Sequence, residues 1–190
     1  MGTDASERLE QLIQTGKARG YVLYDEIDEL LTQVGDAQLD IALTELAVNG
    51  IEILEEPGAS YDAGLQKLNE ELDSSSPIKM YLSQVVTIPR QTREEEIELA
   101  KRISHGGEHA EDAMRQLIEA NLYLVVVAAS RNGGAKDGLL ELIQEGNIGL
   151  MKAAERYKHT REYRFATFAV WWIRRSIVDS KLSRTRPTVR

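Results

Sequence analysis

Apolar residues recur at helical spacing through most of the chain. Near the start, Leu9, Leu12 and Ile13 predict a helix over 6–18, and similar stripes predict helices over about 25–32 and 37–48. Two alternating segments, 21–23 and 51–54, predict short strands. Residues 58–76 contain many Gly, Ser, Asn and acidic residues and few large apolar ones, a pattern that predicts a flexible linker.

The pattern after residue 76 predicts five further helices. Pro77 opens the first, a capping box of Thr92 and Glu95 begins the second over 93–104, and the others cover about 109–130, 139–157 and 167–182. The continuous apolar run 122–129 predicts a central helix, and Gly146 and Gly149 predict close approach of a neighbouring helix. We therefore expect an all-α protein with three parts: a small acidic, mainly helical domain with two short strands over 1–57, an acidic linker over 58–76, and a helical bundle over 77–190.

Composition excludes several classes of protein. The 190 residues include no cysteine, which excludes disulfides, thiolate metal sites and thiol nucleophiles. The apolar run 122–129 is far shorter than the roughly 18 residues that a membrane span needs. We expect a soluble, cytoplasmic protein without a membrane partner.

Charge is segregated along the chain. The formal net charge is −8, but residues 1–76 carry 17 acids and four bases, whereas residues 151–190 carry 11 bases and three acids. One interpretation is that the acidic residues only solvate a small domain. The sharper hypothesis is that the acidic head competes with nucleic acid for the basic tail.

Six of the eleven aromatic residues lie within positions 157–172, and bases alternate with them. Aromatic faces among cations are typical of surfaces that stack single-stranded bases; ordinary core packing is the alternative. The bases in and beside this segment are Arg156, Lys158, Arg161, Arg164, Arg174 and Arg175.

Signals for catalysis are weak. His105 and His109 match the H-x-x-E-H spacing of some zinc proteases, but two glycines between them disfavour the helix that this site needs. The segment 133–138 lacks the G-K-[ST] ending of a phosphate-binding loop and predicts a turn. The sequence therefore predicts no catalytic residue, no metal site and no cofactor, and a protein that is not an enzyme.

Four stretches, taken in order, carry a family resemblance: GKARGYVLYDEIDELL at 16–31 with GIEILEE at 50–56, SPIKMYLSQVVTIPRQTREEEIELAKRI at 76–103, LIEANLYLVVVAA at 117–129 with LLELIQEGNIGLMKAAERY at 139–157, and YRFATFAVWWIRRSI at 163–177. Together they resemble the primary, or housekeeping, sigma factors of bacterial RNA polymerase. The resemblance implies a transcription initiation subunit that binds core polymerase, melts the promoter minus-ten element and carries an autoinhibitory N-terminal domain.

The resemblance also implies partners and site residues. The helix with the IQEGNIGLM motif would bind the clamp coiled coil of the largest polymerase subunit, and anti-sigma factors would be further partners. The polymerase-binding residues would be Leu140, Glu141, Gln144, Glu145, Asn147 and Met151. Four of these, at positions 140, 144, 147 and 151, share one helical face.

Promoter DNA, as the non-template single strand of the minus-ten element, would be the second partner. Trp171 and Trp172 would wedge at the upstream fork, and Phe168 would stack on a flipped adenine. The resemblance implies that Arg161, Tyr163 and Thr167 lie around the adenine and that Asn121 and Leu124 help to hold a flipped thymine. The expected phosphate contacts are Lys152, Arg156, Arg174 and Arg175. Arg164, within the basic–aromatic segment, is a further DNA-binding candidate.

Some positions depart from the family pattern. Phe168 stands where Tyr is usual, Lys158 where Glu is usual, and Tyr123 where Arg is usual. In the last helix, Gln, Thr and Arg are replaced by Arg175, Val178 and Asp179 at positions that read duplex bases in the family. Arg favours guanine, whereas Asp179 would face phosphate unfavourably.

Two other functions remain open at this point. Residues 6–54 could form a winged-helix regulator, although its recognition segment 36–49 contains no Lys or Arg. An antagonist that binds the polymerase clamp or a sigma factor without reading DNA is the other. The ending at Arg190, without a helix stop signal and without downstream promoter-binding domains, favours a truncated piece over a naturally short relative.

Overall fold

A computed structural model describes residues 3–34, 38–58, 60–133 and 138–185. They group into two units: the first lies within residues 1–59 and includes Arg161–Tyr163, and the second lies within residues 60–160 and 164–190. Both units are mainly helical, which confirms the all-α prediction. Within the described ranges, no helix is long and apolar enough to cross a membrane.

The first unit contains three helices and two strands: α1 (Thr3–Arg19), β1 (Tyr21–Leu23), α2 (Tyr24–Val34), α3 (Leu39–Val48) and β2 (Glu52–Leu54). The strands pair in parallel, with Val22 opposite Ile53. Both predicted strands are therefore present, but a wing is an antiparallel hairpin, so the pairing disfavours a winged-helix protein.

The core of the first unit comes from the apolar stripes of its helices. Leu39, Leu43 and Leu46 recur every three or four residues on α3 and are buried with Val22 and Ile27. This spacing gives one apolar face, so burial of that face folds the unit.

A carboxylate links α1, β1 and α2 in this unit. Glu26 accepts hydrogen bonds from Arg19 Nη2 at 2.7 Å and from the Leu23 backbone N–H at 2.8 Å. Partial burial raises the pKa of Glu26, but these two hydrogen bonds outweigh burial and hold that pKa below its ordinary value. The ionised side chain therefore stabilises the turn into α2.

The second unit contains seven helices within the described ranges: α4 (Tyr61–Glu71), α5 (Pro77–Val85), α6 (Arg93–His105), α7 (Glu108–Glu119), α8 (Leu122–Gly133), α9 (Leu139–Arg156) and α10 (Phe165–Thr185). The predicted capping box is confirmed, because Thr92 accepts from the Glu95 backbone N–H and the Glu95 side chain accepts from that of Thr92. Of the predicted turn at 133–138, only the two end residues lie within the described residues.

Helix α8 is central, as its apolar run predicts: Leu124 and the five residues after it are all buried. Helix α9 packs closely on α10 at Gly149, where an added Cβ would come within 2.5 Å of the Trp172 carbonyl oxygen. At Gly146 an added Cβ would come within 2.7 Å of Val125 Cγ1. The predicted close approach at these glycines is therefore confirmed.

Two segments differ from the sequence prediction. The prediction of a flexible tether over 58–76 is wrong for α4, which begins after the Ser60 cap and buries Leu65 and Leu68; Leu72, directly after the helix, is also buried. Regular apolar spacing outweighs the polar composition there.

The single helix predicted over 109–130 is also wrong, because α7 ends at Glu119 and α8 begins at Leu122. At the break, Asn121 Nδ2 donates to the Leu117 carbonyl at 2.8 Å. This side chain competes with the helical backbone pattern, as Asn does readily.

Candidate functional site

One face of α9 is exposed and partly apolar. Leu140 and Met151 are 48% and 51% exposed, and Ile148 lies exposed between them. Glu141 and Gln144 are exposed, whereas Glu145 and Asn147 are half-buried. The six residues predicted to bind polymerase are thus all at least partly accessible on one helix, and Ile148 extends their apolar surface.

The aromatic residues after α9 form a continuous chain of ring contacts. The ring centroids of Tyr157 and Phe168 lie 6.1 Å apart, those of Phe168 and Trp172 6.0 Å apart, and those of Trp172 and Trp171 5.1 Å apart. Tyr157 also contacts Phe165 edge to face at 5.2 Å. Because three of these rings lie on α10 at positions 168, 171 and 172, helical spacing brings them together.

Exposure differs sharply among these rings. Trp171 is 1% exposed and Phe168 is 4% exposed, whereas Trp172 is partly exposed. The Nε1 atom of Trp172 is itself buried and has no hydrogen-bond partner within the described residues. In this conformation Trp172 is therefore the accessible member of the predicted wedge, and Trp171 supports it from below.

Guanidinium groups stack on both tryptophans. The Arg156 guanidinium lies 4.7 Å from the Trp172 ring centroid, and the Arg175 guanidinium lies 5.7 Å from that of Trp171. Such cation–π contacts hold the cations beside the rings. Of the remaining candidates in this unit, Lys152 and Arg164 are exposed, and Thr167 and Arg174 are half-buried.

The start of α10 is fixed by Glu96, a carboxylate that is only 2% exposed. Its oxygens accept hydrogen bonds from Arg164 Nη2 at 2.7 Å, from Arg164 Nε at 2.9 Å and from the Phe165 backbone N–H at 3.2 Å. The hydrogen bonds from Arg164 to Glu96 raise the pKa of Arg164. A negative charge at a helix N-terminus is favourable, so Glu96 anchors the helix that carries the aromatic residues.

The two residues predicted to hold a flipped thymine are buried. Asn121 is 4% exposed at the break between α7 and α8, and Leu124 is fully buried. Asn121 already donates to Leu117. A base would therefore reach them only after local rearrangement.

In the first unit, Asp40 binds two residues predicted to surround the adenine. Asp40 Oδ2 accepts from Arg161 Nη2 at 2.5 Å, and Asp40 Oδ1 accepts from the Tyr163 hydroxyl at 2.6 Å. Asp40 thus accepts one hydrogen bond from each of these two side chains. The sequence pattern around Asp40 does not indicate this contact, because 121 residues separate it from Arg161.

The histidine pair has no metal-binding geometry. His105 ends α6, Gly106 and Gly107 follow with positive φ, and His109 lies in α7. Across the described ranges, no group of three or more potential ligands could hold a metal ion.

Three family models match successive parts of the chain: sigma-70 factor region 1.1 at residues 3–77, region 1.2 at 76–109 and sigma-70 region 2 at 117–186. The chain belongs to the sigma-70 family. All the polymerase- and DNA-binding candidates lie in the part matched to region 2, and Glu96 lies in the part matched to region 1.2.

Individual relatives agree with this assignment. The sigma-70 chain is 35% identical over 197 residues to RNA polymerase sigma factor SigA of a Bacillus species, covering 93% of this chain and 52% of the relative. It is 36% identical over 170 residues to SigA of Lactococcus lactis subsp. lactis, covering 87% and 44%. It is 34% identical over 193 residues to SigA of Listeria monocytogenes, covering 93% and 51%. The chain spans about half the length of these curated relatives.

Sequence reasoning missed Glu96 in this sigma-70 chain, although a signal was present. Position 96 shares the helical stripe of Leu99, Ala100 and Ile103, so the pattern places a carboxylate among apolar residues. A buried carboxylate needs hydrogen-bond donors, and that requirement points to a partner such as Arg164.

Proposed function

We propose that the chain acts in the cytoplasm as a transcription initiation subunit that binds core RNA polymerase and recognises and melts the promoter minus-ten element. The observation that carries this proposal is the partly exposed Trp172 ring, which contacts Phe168 and Trp171 in the aromatic chain and on which the Arg156 guanidinium stacks. An accessible aromatic face beside a cation can stack an unpaired base and neutralise phosphate. The match to region 2 supports the same function.

Binding to core polymerase is assigned to the exposed face of α9, and the clamp coiled coil is its proposed partner. Leu140, Ile148 and Met151 expose apolar surface beside carboxylates and amides. An apolar centre with a polar rim is the usual anatomy of a protein–protein interface. Anti-sigma factors would compete for this accessible face.

The acidic N-terminal part is proposed to limit DNA binding by the free chain. Support comes from Asp40, whose carboxylate accepts hydrogen bonds from Arg161 Nη2 and from the Tyr163 hydroxyl. A phosphate would compete with this carboxylate for the positive charge of Arg161. Displacement of Asp40 should therefore strengthen DNA binding, and core polymerase is the proposed agent.

Binding of a labelled single-stranded minus-ten oligonucleotide, measured by fluorescence anisotropy, tests both proposals. The free parent chain should bind weakly, and the chain with core polymerase should bind tightly. Asp40→Asn should strengthen binding by the free chain about threefold to tenfold, because it weakens a partly buried charge pair.

The matched control is Glu45→Gln, which removes the same charge from an exposed position on the same helix. If Asp40→Asn and Glu45→Gln change the affinity equally, the Asp40 contact does not specifically limit DNA binding, and the proposal of autoinhibition by this contact is wrong. If core polymerase fails to increase binding by the parent chain, the proposed function itself is wrong.

A further inference from the structure

A cavity of about 530 Å³ lies between α4, α5 and the N-terminal end of α8, all within the second unit. Its volume falls within the range of about 300–1,000 Å³ that is typical of ligand pockets. Within the described residues, none of the polymerase- or DNA-binding candidates lines this cavity. Its apolar wall comes from α5 and the residues that follow it: Leu82, Val85, Val86 and Ile88.

One edge of the cavity is polar and comes from α4. Asp62, Gln66 and Asn69 line it at spacings of four and three residues, so they share one helical face, and all three are exposed. This row spans about 10 Å, the length of about three residues of extended chain. Carboxamide side chains both donate and accept hydrogen bonds, as a peptide backbone requires. The cavity is therefore a groove with the length and the polar groups for a short extended peptide.

Arg90 lies over an aromatic ring at the side of this groove. Its guanidinium is 4.2 Å from the ring centroid of Tyr123 and pairs with the Asp62 carboxylate. Tyr61 supports the Tyr123 ring edge to face, with 5.6 Å between the ring centroids. An aromatic face and a carboxylate together form a site for a planar cation. Arg90 is the resident cation of that site.

Arg90 can leave this position without unfolding a helix. It is exposed and lies in the segment between α5 and α6. Exposed ion pairs such as that of Arg90 with Asp62 contribute little to stability. A competing guanidinium can therefore replace that of Arg90.

The charge around the groove favours a basic occupant. Helix α4 carries three carboxylates and one lysine, so its surface is acidic once Arg90 is displaced from Asp62. Tyr123, which stacks the guanidinium, stands where the sigma-70 family usually has Arg. An Arg at that position would repel a second cation, so the site is a feature of this chain and not of the family pattern.

We propose that this groove binds an extended peptide of a partner protein, in which an arginine displaces Arg90 from Tyr123 and Asp62. Residues two positions apart face the same side of an extended chain, so an apolar residue two positions from that arginine packs on Leu82 and Val85. The planar guanidinium of arginine stacks on an aromatic ring and binds a carboxylate through two nitrogens, which lysine cannot do. The aromatic chain of α10 takes no part in this site, so the inference does not rest on the proposed function.

A second explanation of the same geometry is that Arg90 only holds its loop against Tyr123 and that the groove binds no peptide. In that case, removal of Arg90 creates no peptide site. The two explanations therefore differ in the effect of Arg90→Ala on peptide binding.

The probe is the peptide Leu-Ser-Arg-Ser-Leu with blocked ends and a fluorescein label, and fluorescence anisotropy measures its binding to the whole chain. The parent should bind it weakly. Arg90→Ala should bind it about threefold to tenfold more tightly, because the tethered competitor is gone. The matched control, Lys67→Ala, removes the same charge from an exposed position on α4 and should bind like the parent.

Two further comparisons test the recognition chemistry in the Arg90→Ala background. Adding Asp62→Asn should weaken binding at least about threefold, whereas adding Glu71→Gln, at an exposed position of the same helix, should not. Peptides with Lys in place of Arg, or with Ser in place of both Leu residues, should each bind at least about threefold more weakly. Circular dichroism confirms folding of each variant.

Equal binding by Arg90→Ala and Lys67→Ala would overturn the proposed displacement. Equal binding of the Arg and Lys peptides, or no loss on Asp62→Asn, would show charge attraction outside the groove and would also overturn it. If the Ser-substituted peptide binds as tightly as the original peptide, the occupant is a guanidinium alone, and the inference of an apolar peptide is wrong. The assay contains neither DNA nor polymerase, so each of these failures leaves the proposed function intact.

Discussion

Glu96 illustrates how one residue connects two distant parts of the sequence. It is buried in α6, yet its oxygens hold Arg164 and the first backbone N–H of α10. Burial of a charge is costly unless hydrogen bonds compensate for it, and three do so here. The position of the aromatic helix therefore depends on a carboxylate from a preceding helix.

Replacement of Glu96 by Gln should destabilise the protein by about 1–3 kcal/mol, the range for loss of a buried hydrogen bond to a charged group. The amide cannot pair with the charge of Arg164 and keeps only one acceptor oxygen. Urea unfolding measures the change, with Glu94→Gln, an exposed carboxylate of the same helix, as control. Equal stability of the two variants would show that Glu96 does not anchor α10.

The sequence predicts the chemistry of single residues better than their burial. Helical spacing predicts that Leu140, Gln144 and Met151 share one face of α9, and the structure adds that all three are exposed. It does not predict that Trp171 is buried and Trp172 accessible, because adjacent tryptophans have the same local pattern and only packing against other helices distinguishes them. The contact between Asp40 and Arg161 cannot be predicted from the local sequence either, because 121 residues separate the two and only the tertiary structure brings them together.

Helices and their ends can be predicted from the sequence where apolar spacing, capping residues and composition all indicate the same structure. The capping box at Thr92 and the close approach at Gly149 are both predictable, because each depends on backbone geometry that one or two residues determine. The tether prediction fails at α4, where three leucines at helical spacing are buried despite a polar composition. The prediction of a single helix over 109–130 fails for the opposite reason. The apolar pattern is continuous there, but the Asn121 side chain bonds to the backbone at the break before α8.

The exposed face of α9 supports a prediction at the scale of this helix. Met151→Glu should weaken binding to core polymerase about tenfold, because it places a charge in the apolar centre of the proposed interface. The same substitution at Met80, which is exposed on α5, is the matched control. Titration of labelled core polymerase with each variant measures the affinity. Equal affinities would place the polymerase contact elsewhere on the chain.

The charge distribution acquires a specific meaning for the whole molecule. A net charge of −8 by itself disfavours a nucleic-acid partner, but the chain combines an acidic N-terminal part with a basic, aromatic C-terminal part. Asp40 from the acidic part accepts hydrogen bonds from Arg161 and Tyr163 of the basic, aromatic part. In our proposal, the acidic N-terminal part limits DNA binding by the free chain. It does not prevent DNA binding once the chain is in a complex with polymerase.

We propose that the chain melts promoter DNA together with core polymerase. The most direct measurement is a footprint of promoter DNA that combines nuclease protection with permanganate reactivity of unpaired thymines. With the chain and core polymerase both present, we predict protection of the minus-ten element and reactive thymines in its non-template strand. The double variant Trp171→Ala/Trp172→Ala should retain core binding and lose the thymine reactivity. Three results would each contradict the proposed function: protection without core polymerase, core binding without protection, or promoter opening by the double variant equal to that of the parent.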